Sequence, residues 1–567
     1  MKFANQLFGY GFYKSTIPVL APLLVSLSLV CAGCVSNHTL KEDTAKHDFL
    51  EKRKMLIEKY SEKDNVFSTL HGQIDSNDLE SSDYWRWRID QYMYGQYPEY
   101  QVIYDSFRQG RTFNQIYGLS SENLGPKTPL PDNMPALPHG YFTENLPGNP
   151  HRGWHTVVGD TVYITYQGHL TDPYIASYNL NTHQWHGPNR AAKSTLSKGD
   201  RKIDSHGRPI IELDSNGHLH IVYGGHGGER EDGLNPLSID TPHAGGRMLH
   251  VMSEKPYDIS SFVYVNDISP FASYTKSYKM GNGDIYLFTR AGTHKSPWVY
   301  YKMKNGQQHF EDPVIITWPT PQQDTPINVD TFYINPVAIS DTEIAISFLW
   351  HECNFNEVHN KTNYGRVNAY FMKLDTESGN FYNAQNEVLS LPITLKQANA
   401  KTLAFDSTRR EETPFNTKPI ILKGGTPAVA YEALTDDFRE WRMTAFKNGK
   451  WIHSLPIPET VNRTLRDSND VEIVNLEILD NSNESPMALV VYKDSNGKTI
   501  FAEAESDNGR DWHVTKKHLK LENVRIQMEA VKNRLGDTVA VVLNLKKGAS
   551  QRLYLWHEGT FRTPLID

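Results

Sequence analysis

Cysteine is scarce in this sequence of 567 residues, which contains only three. Cys31 lies near the end of an apolar N-terminal run, residues 17–32, and Cys34 follows just after that run. Cys353 is the only other cysteine, so a disulfide framework within one chain is excluded if the N-terminal segment is removed. If the protein is exported, the presence of this single remaining cysteine suggests that its thiol binds a metal ion.

The N-terminal segment has the pattern of an export signal. Lysines precede the apolar run 17–32, which is too short for a convincing membrane-spanning helix, and small residues precede Cys34. This pattern resembles a bacterial lipobox and predicts a lipoprotein signal peptide over residues 1–33 with lipidation of Cys34; an ordinary cleaved signal peptide is the alternative. Val35 and Ser36 carry no acidic retention signal, which favours an anchor in the outer membrane, with secretion as the alternative.

The sequence also lacks a strong excess of charge. Lys and Arg number 58 against 66 Asp and Glu, a net charge of -8, which argues against a nucleic-acid partner and against a polybasic membrane patch. Membrane contact is therefore expected only through the lipid anchor, and the protein is expected to be a monomer. Helical spacing of apolar residues in the charged stretch 40–63 predicts a short helical extension within a linker at 34–84.

One sequence unit recurs seven times from about residue 150 onward. It contains an apolar strand, a tight polar turn, a second apolar strand, a loop and an aromatic-rich strand. The second strands read VYITYQG, HLHIVYGG, DIYLFTR, IAISFLW, AVAYEAL, ALVVYKD and VAVVLNL. Each unit alone would leave a sheet face and edges exposed, and stacking the units around an axis removes both problems. The sequence therefore predicts an all-β fold, a seven-bladed β-propeller over residues 85–567 that follows the helical extension.

The first hairpins of four successive units end in polar, chemically capable side chains. In a tight antiparallel hairpin, the position of the turn determines which residues face each other. The facing pairs predicted in this way are His206 with His226, Tyr274 with Arg290, Tyr333 with His351, and His151 with His169. Because equivalent loop ends of propeller blades converge on one face, these side chains are expected to line a single cleft.

The predicted cleft has no obvious pair of carboxylates. Glycoside hydrolysis normally requires two of them, and a sialidase requires an arginine cluster with a Tyr–Glu pair, for which only Arg290 stands at a matching strand end. β-Elimination on a uronic acid fits the residues better. An arginine would neutralise the uronate carboxylate, a histidine or tyrosine would remove the C5 proton, and another would protonate the departing C4 oxygen. A surface protein that only binds sulfated glycans is the alternative from a different class.

Three stretches of the chain, SHGRPIIELDSNGHLHIVYGGH, SYTKSYKMGNGDIYLFTR and DTFYINP, resemble the propeller ulvan lyases of polysaccharide lyase families 24 and 25, which are grouped with BNR-type repeats. The resemblance implies endolytic cleavage of ulvan, a sulfated algal polysaccharide, at the bond between sulfated rhamnose and a uronic acid. It also implies that His206, His226 and Tyr274 transfer protons, that Arg290 neutralises the carboxylate, and that Tyr333 is a further active-site residue. His206 or His226 is favoured as the base and Tyr274 as the acid.

A second site is predicted from the segment WHECNFNEVHN and the upstream RAGTH. His294, His351, Cys353 and His359 form a His/Cys set without an evident open position, which indicates structural zinc, and the resemblance implies the same. A buried free thiol among surface histidines is the alternative, and calcium is a further candidate ion. His151 and His169 are candidates either for substrate binding or for packing.

Overall fold

β-Strands make up almost all of the regular structure in the residues that the structure describes. The computed structural model describes residues 126–129 and residues 154–562, except for the stretches 169–170, 197–204, 230–231, 233–234, 236, 238–244, 322–328, 353–364, 410–411, 423, 435–438, 457–463, 466–471, 481–486, 507–510, 534–536 and 548–549.

Within the described residues the strands form seven separate sheets, numbered here in chain order. Sheet 1 contains His155–Val158, Thr161–Gln167, Pro173–Asn179 and Trp185–Arg190. Sheet 2 contains Ile210–Leu213, Leu219–Tyr223, Leu249–Ser253 and Phe262–Val265, with Pro126–Pro129 added at its outer edge. Sheet 3 contains Ser273–Lys279, Ile285–Arg290, Trp298–Met303 and Val314–Ile315.

The later sheets follow the same antiparallel plan with additions. Sheet 4 contains Thr320–Pro321, Val329–Ala338, Glu343–His351, Arg366–Asp375, Phe381–Tyr382, Val388–Leu389 and Leu403–Phe405. Sheet 5 contains Thr413–Leu422, Thr426–Leu434, Arg439–Lys447 and Lys450–Pro456. Sheet 6 contains Thr464–Leu465, Glu472–Asp480, Met487–Lys493, Thr499–Ser506 and Asp511–Leu521, the first of these parallel to the last. Sheet 7 contains Arg525–Lys532, Thr538–Lys547, Ser550–His557 and Thr560–Arg562.

Helical structure in the described residues is confined to short turns. They are the 3-10 turns Ser205–Gly207 and Ser407–Arg409, the α-helical turn Leu395–Gln397 and the π-helical turn Ala398–Thr402. Among the residues that the structure describes, no helix has the length and apolar character needed to cross a membrane.

In the described residues, neighbouring sheets are in contact through the first strand of the first long hairpin of each sheet, which is Val329–Ala338 in sheet 4 and Glu472–Asp480 in sheet 6. Such contacts join sheets 1 to 2, 2 to 3, 3 to 4, 4 to 5 and 6 to 7. The first strand of sheet 7 also contacts the first strand of sheet 1, and one apolar cluster contains residues of both sheets. The second strands are therefore covered on both faces, as in Ile285–Arg290, where every residue is buried. This explains why these strands read as almost continuous apolar runs.

The prediction of an all-β protein is confirmed for the described residues. The signal peptide 1–33 and the helical linker 34–84 lie outside them, so both stay predictions. The predicted tight turns at Gly159-Asp160, Asp214–Gly217 and Gly281–Gly283 join the first two strands of sheets 1, 2 and 3.

Sheet 2 contains a buried chain of two histidines and two aspartates. His220 Nδ1 lies 2.9 Å from His250 Nε2, and His250 Nδ1 lies 2.8 Å from Asp267 Oδ1. At the other end, His220 Nε2 lies 3.5 Å from Asp214 Oδ2. Burial of the imidazole lowers the pKa of His220 to about 4, so this ring is neutral in the folded protein near pH 7. Its role is structural, because the ring is buried within the strand Leu219–Tyr223 and contacts side chains of the same sheet.

The neutral His220 predicts a pH dependence of stability. The unfolded chain takes up a proton near pH 6.5, whereas the folded protein does so only near pH 4, so folding stability is complete above the first value and decreases as the pH falls between the two. Within this window, one proton taken up on unfolding changes the free energy of unfolding by about 1.4 kcal/mol per pH unit. We expect His220→Gln to show a smaller loss of unfolding free energy than the wild type between pH 6.5 and 4.5, measured by urea denaturation. Equal pH dependences of the two proteins would contradict this assignment.

Candidate active site

The predicted contact between His206 and His226 is present. Ile210 pairs with Val222 in the hairpin of sheet 2, and continuing this register beyond the strand ends brings residues 206 and 226 face to face. The two imidazoles stack with ring centres 3.5 Å apart and planes 10° apart.

Glycine permits this close approach of the two segments. Gly224 N donates a hydrogen bond of 2.8 Å to Gly207 O, and a Cβ atom at Gly207 would lie only 2.5 Å from the Gly224 carbonyl carbon. Any side chain at position 207 would therefore push the two backbones apart. The glycines in SHGRP and VYGGH are thus part of what holds the histidine pair together.

Tyr274 reaches the histidine pair because of a β-bulge. The sequence predicted that it faces Arg290, and this is wrong by one position, since Ser273 pairs with Arg290 and Lys276 pairs with Phe288. Two residues, Tyr274 and Thr275, therefore lie opposite the single residue Thr289 of the partner strand. Tyr274 has a left-handed backbone conformation with a φ of 59°. Bulges commonly re-aim a side chain in this way. The Tyr274 ring centre lies 4.6 Å from that of His206.

Arg290 lies under the two tyrosines and is almost completely buried, with 1% of its surface exposed. Its Cζ lies 4.8 Å from the Tyr274 ring centre and 5.6 Å from the Tyr333 ring centre. Its Nε donates to Gly292 O at 3.2 Å and its Nη1 donates to the Tyr333 hydroxyl at 3.3 Å. Among the described residues, Arg290 forms no ion pair with a carboxylate.

Tyr333 belongs to the same group, although its predicted partner in the sheet is wrong. It pairs with Leu349, and His351 pairs with Thr331, because the turn between the strands is centred on Asp341 and the register differs by two residues. The rings of Tyr333 and His351 are still in edge contact, with centres 5.3 Å apart.

Arg366, which was not predicted from the sequence as a site residue, lies on the other side of Tyr333. Its Cζ is 3.7 Å from the Tyr333 ring centre, and its Nε and Nη1 are buried without a hydrogen-bond partner among the described residues. Burial would raise the pKa of Tyr333, but the Arg290 and Arg366 guanidiniums outweigh it and hold that pKa below its usual value. Arg366 begins the strand Arg366–Asp375, which follows the first long hairpin of sheet 4, whereas the predicted site residues all belong to such hairpins.

A cavity of about 310 Å³ opens beside these side chains. Its wall includes Tyr274, Tyr333 and Arg366 together with Trp298, whose ring lies nearly parallel to that of Tyr274. The other lining residues are Thr275, Lys276, Ile334, Asn335, Leu349, Phe415, Asn416 and Thr417. This described lining contains arginine, lysine and amides but neither aspartate nor glutamate, so it is suited to an anionic ligand.

The predicted zinc ligands are described only in part. Burial, followed by the nearby charges of Arg366, His294 and Arg290, lowers the pKa of His351 to about 3. His294 and His351 are therefore electrostatic neighbours, and His351 Nδ1 is buried without a hydrogen-bond partner among the described residues. Cys353 and His359 lie outside the described residues, as do His151, His169 and Cys34.

Comparison with known proteins identifies the family of the chain. Residues 161–456 match the BNR repeat-containing family. The chain is 31% identical over 480 residues to Ulvan Lyase-PL25 of Pseudoalteromonas sp. (strain PLSV), with 80% of this chain and 94% of that protein covered. It is 37% identical over 278 residues to an ulvan lyase of Nonlabens ulvanivorans, with 46% and 57% covered.

A solved structure gives the same relationship. The PL25 ulvan lyase bound to -[GlcA(1-4)Rha3S]- matches with a TM-score of 0.60 at 30% identity, covering 75% of this chain and 97% of that one. Fold and repeats thus define a protein of the BNR repeat-containing class. More particularly, the chain belongs to the PL25 ulvan lyases, a family of polysaccharide lyases. The resemblance predicted from the sequence is confirmed.

The glycine contact beneath the histidine pair can be tested by substitution. We expect Gly207→Ala to lower the free energy of unfolding by about 1–3 kcal/mol, the usual range for an added methyl group in a space that is already filled. The measurement is urea denaturation at pH 7. An unchanged stability would contradict the close backbone approach.

Proposed function

We propose that this protein is an ulvan lyase that cleaves the uronate C4–O bond by β-elimination and releases oligosaccharides with an unsaturated uronyl end. The observation that carries the proposal is Arg290, a buried cation without a carboxylate partner among the described residues. A buried charge without a counter-charge is costly, so a site that retains one is suited to an anionic substrate. The family membership of the chain supports a uronic acid polymer as that substrate.

Arg290 is assigned to the uronate carboxylate. The C5 proton of a uronate is weakly acidic, and it becomes removable when the negative charge that spreads onto the carboxylate is stabilised. The hydrogen bonds to Gly292 O and to the Tyr333 hydroxyl orient the guanidinium before substrate arrives. Arg366, across the Tyr333 ring, adds a second positive charge at the same place.

His206, His226 and Tyr274 are assigned to proton transfer. A base, His206 or His226, removes the C5 proton, and the C–H electron pair forms the C4–C5 double bond while the C4–O bond breaks. Tyr274 then gives a proton to the departing oxygen. His206 stacks on His226 and contacts the Tyr274 ring, and the Arg290 guanidinium carbon lies 4.8 Å from that ring centre, so the assigned acid, base and carboxylate neutraliser are neighbours.

We further propose that the seven sheets are the blades of a closed propeller. In support, six pairs of neighbouring sheets, including sheet 7 with sheet 1, are in contact through the first strands of their first long hairpins. Structural zinc at His294, His351, Cys353 and His359 also remains a proposal, supported by the unpartnered and buried His351 Nδ1.

Three further proposals rest on the sequence alone. They are export of the protein, a lipid anchor at Cys34 that holds it in the outer membrane, and a monomeric state.

The first test is an ultraviolet assay with ulvan. The wild type should generate the absorbance of a C4–C5 double bond conjugated to a carboxylate. A glycan-binding protein generates none, and a sialidase-like hydrolase generates reducing ends without the absorbance. Arg290→Ala should lower kcat/KM by at least about 10²-fold, as expected for loss of a charge-stabilising donor. Arg290→Lys should recover little, because an ammonium lacks the two-pronged geometry.

Exposed Arg525 is the matched control for this experiment, and Arg525→Ala should behave as the wild type. Circular dichroism checks that the Arg290 variants remain folded. Full lyase activity in folded Arg290→Ala would overturn the assigned role of Arg290, and absence of the absorbance in the wild type would overturn the proposed activity.

Tyr274→Phe tests the assigned acid. The variant keeps the ring that contacts His206 but lacks the hydroxyl, so we expect kcat to fall by about 10²–10⁴-fold with a smaller change in KM. Tyr257, whose surface is 53% exposed, gives the control Tyr257→Phe. An unchanged kcat in Tyr274→Phe would assign the proton donor elsewhere.

A further inference from the structure

The junction between sheet 1 and sheet 7 joins the beginning of the described β-structure to its end. In the described residues no strand is shared between the two sheets. They are held together by an apolar cluster that includes Trp154, Tyr178, Val542 and Leu555. A polar cluster lies next to this core, where the turn between the last two strands of sheet 1 meets the corresponding turn of sheet 7.

Tyr178 organises this cluster. Its hydroxyl lies 2.8 Å from His183 Nδ1 and 3.2 Å from His557 Nδ1, so one phenol from sheet 1 contacts an imidazole of each sheet. A hydroxyl oxygen has two lone pairs and can accept both Nδ1–H groups. In those tautomers the two Nε2 atoms carry the free lone pairs, which is the state that a metal ion binds.

The outer side of the cluster has the spacing of a metal site. His183 Nε2 lies 3.5 Å from Glu558 Oε2, and the potential ligand atoms of His183, His557 and Glu558 all lie within 4.8 Å of one another. Zinc–ligand distances near 2.1 Å put neighbouring ligands of a tetrahedral ion about 3.4 Å apart. The His183 Nε2 and Glu558 Oε2 atoms already have about this separation. A small movement of the exposed side chains brings all three ligand atoms to the distances that a tetrahedral ion requires.

As an ordinary ion pair, the same group would contribute little. His183 and Glu558 have 36% and 61% of their side-chain surfaces exposed, and exposed pairs are weak because solvent screens them. Glu558 also has a left-handed φ of 47° in the turn Glu558-Gly559, whereas the corresponding turn of sheet 5 uses Asn448-Gly449. Asparagine tolerates that conformation better than glutamate does, so the turn itself does not require a carboxylate.

We propose that His183, His557 and Glu558 bind one divalent transition-metal ion of the zinc type, with water at the fourth position, and that this ion clamps sheet 7 to sheet 1. Two imidazoles and one carboxylate suit such an ion and disfavour calcium or magnesium. Arg562 Nη2, which lies 3.4 Å from Glu558 Oε2, is displaced from the carboxylate when the ion binds. A link between residues so far apart in sequence closes a very long loop and therefore restricts the unfolded chain strongly.

The clamp lies at the opposite ends of the strands from the candidate active site. Leu180 N donates to Asp160 O, so the sheet 1 turn with His183 lies beside the turn between the first two strands. The active-site side chains occupy the other ends of the corresponding strands in sheets 2 and 3, as Arg290 does at the end of Ile285–Arg290. Loss of the clamp is thus expected to change stability and to leave the chemistry of the site intact.

The test measures zinc binding and thermal stability of the full chain after removal of metal with a chelator. Glu558→Gln and His183→Ala should each lower the zinc stoichiometry by one per chain or weaken one binding event at least about tenfold. Added Zn²⁺ should raise the Tm of the wild type by about 2–4 °C more than that of either variant. His186→Ala, which changes an exposed histidine in the same sheet, is the matched control and should bind as the wild type does.

Substituting Co²⁺ for zinc distinguishes this site from the one proposed around Cys353. A thiolate ligand gives an intense sulfur-to-cobalt charge-transfer band, whereas the clamp gives only ligand-field bands, and only the latter should decrease in Glu558→Gln. The proposal is overturned if Glu558→Gln and His183→Ala both keep the wild-type stoichiometry and affinity, or if zinc stabilises them as much as the wild type. Lyase activity of the variants is measured separately, so failure of the clamp leaves the proposed function untouched.

Discussion

The structure of the site depends on one buried guanidinium. Arg290 is 1% exposed and, within the described residues, its contacts are a backbone carbonyl, a phenol and two aromatic faces. These groups orient a positive charge without neutralising it. In the proposed mechanism, the uronate carboxylate supplies the negative charge that Arg290 lacks among the described residues. The tyrosines, the histidine pair and Arg366 are arranged around this charge.

The stacked sheets keep that guanidinium in place. Arg290 ends a strand in which every residue is buried, and it pairs in register with Trp298 on the next strand of sheet 3. The Trp298 indole donates a hydrogen bond of 2.6 Å to Phe332 O, in sheet 4. The side chain of Tyr333, one residue further along, is thereby held at a fixed distance from Arg290. The separation between functional groups from different sheets thus follows from packing between the sheets rather than from loop conformation.

Regular hairpins could be predicted from the sequence, but their irregularities could not. The turn at 214–217 locates His206 opposite His226 because the ladder between them follows a constant register. The same reasoning fails at Tyr274, where one additional residue forms a bulge, and at Tyr333, where the turn is centred one residue earlier than assumed. In both cases the side chains still meet, because long aromatic and guanidinium groups reach diagonal neighbours in a sheet.

Site residues that follow the first long hairpin of a sheet could not be predicted from the sequence. Arg366 and Trp298 lie at the starts of strands that follow loops, and loop length does not determine where such a strand begins in space. The seven repeats of apolar second strands, in contrast, follow directly from burial on both faces, and periodicity alone was enough to predict an all-β chain. The proposed clamp of His183, His557 and Glu558 could not be predicted from the sequence either, because its members lie near opposite ends of the described part of the chain.

A crystal structure of a catalytically impaired variant with a bound uronate-containing oligosaccharide tests the central claim most directly. The account predicts that a uronate carboxylate oxygen lies within hydrogen-bond distance of the Arg290 guanidinium, with C5 directed toward the group of His206, His226 and Tyr274. A productively bound oligosaccharide whose carboxylate lies away from Arg290, with that guanidinium untouched by the ligand, would contradict it.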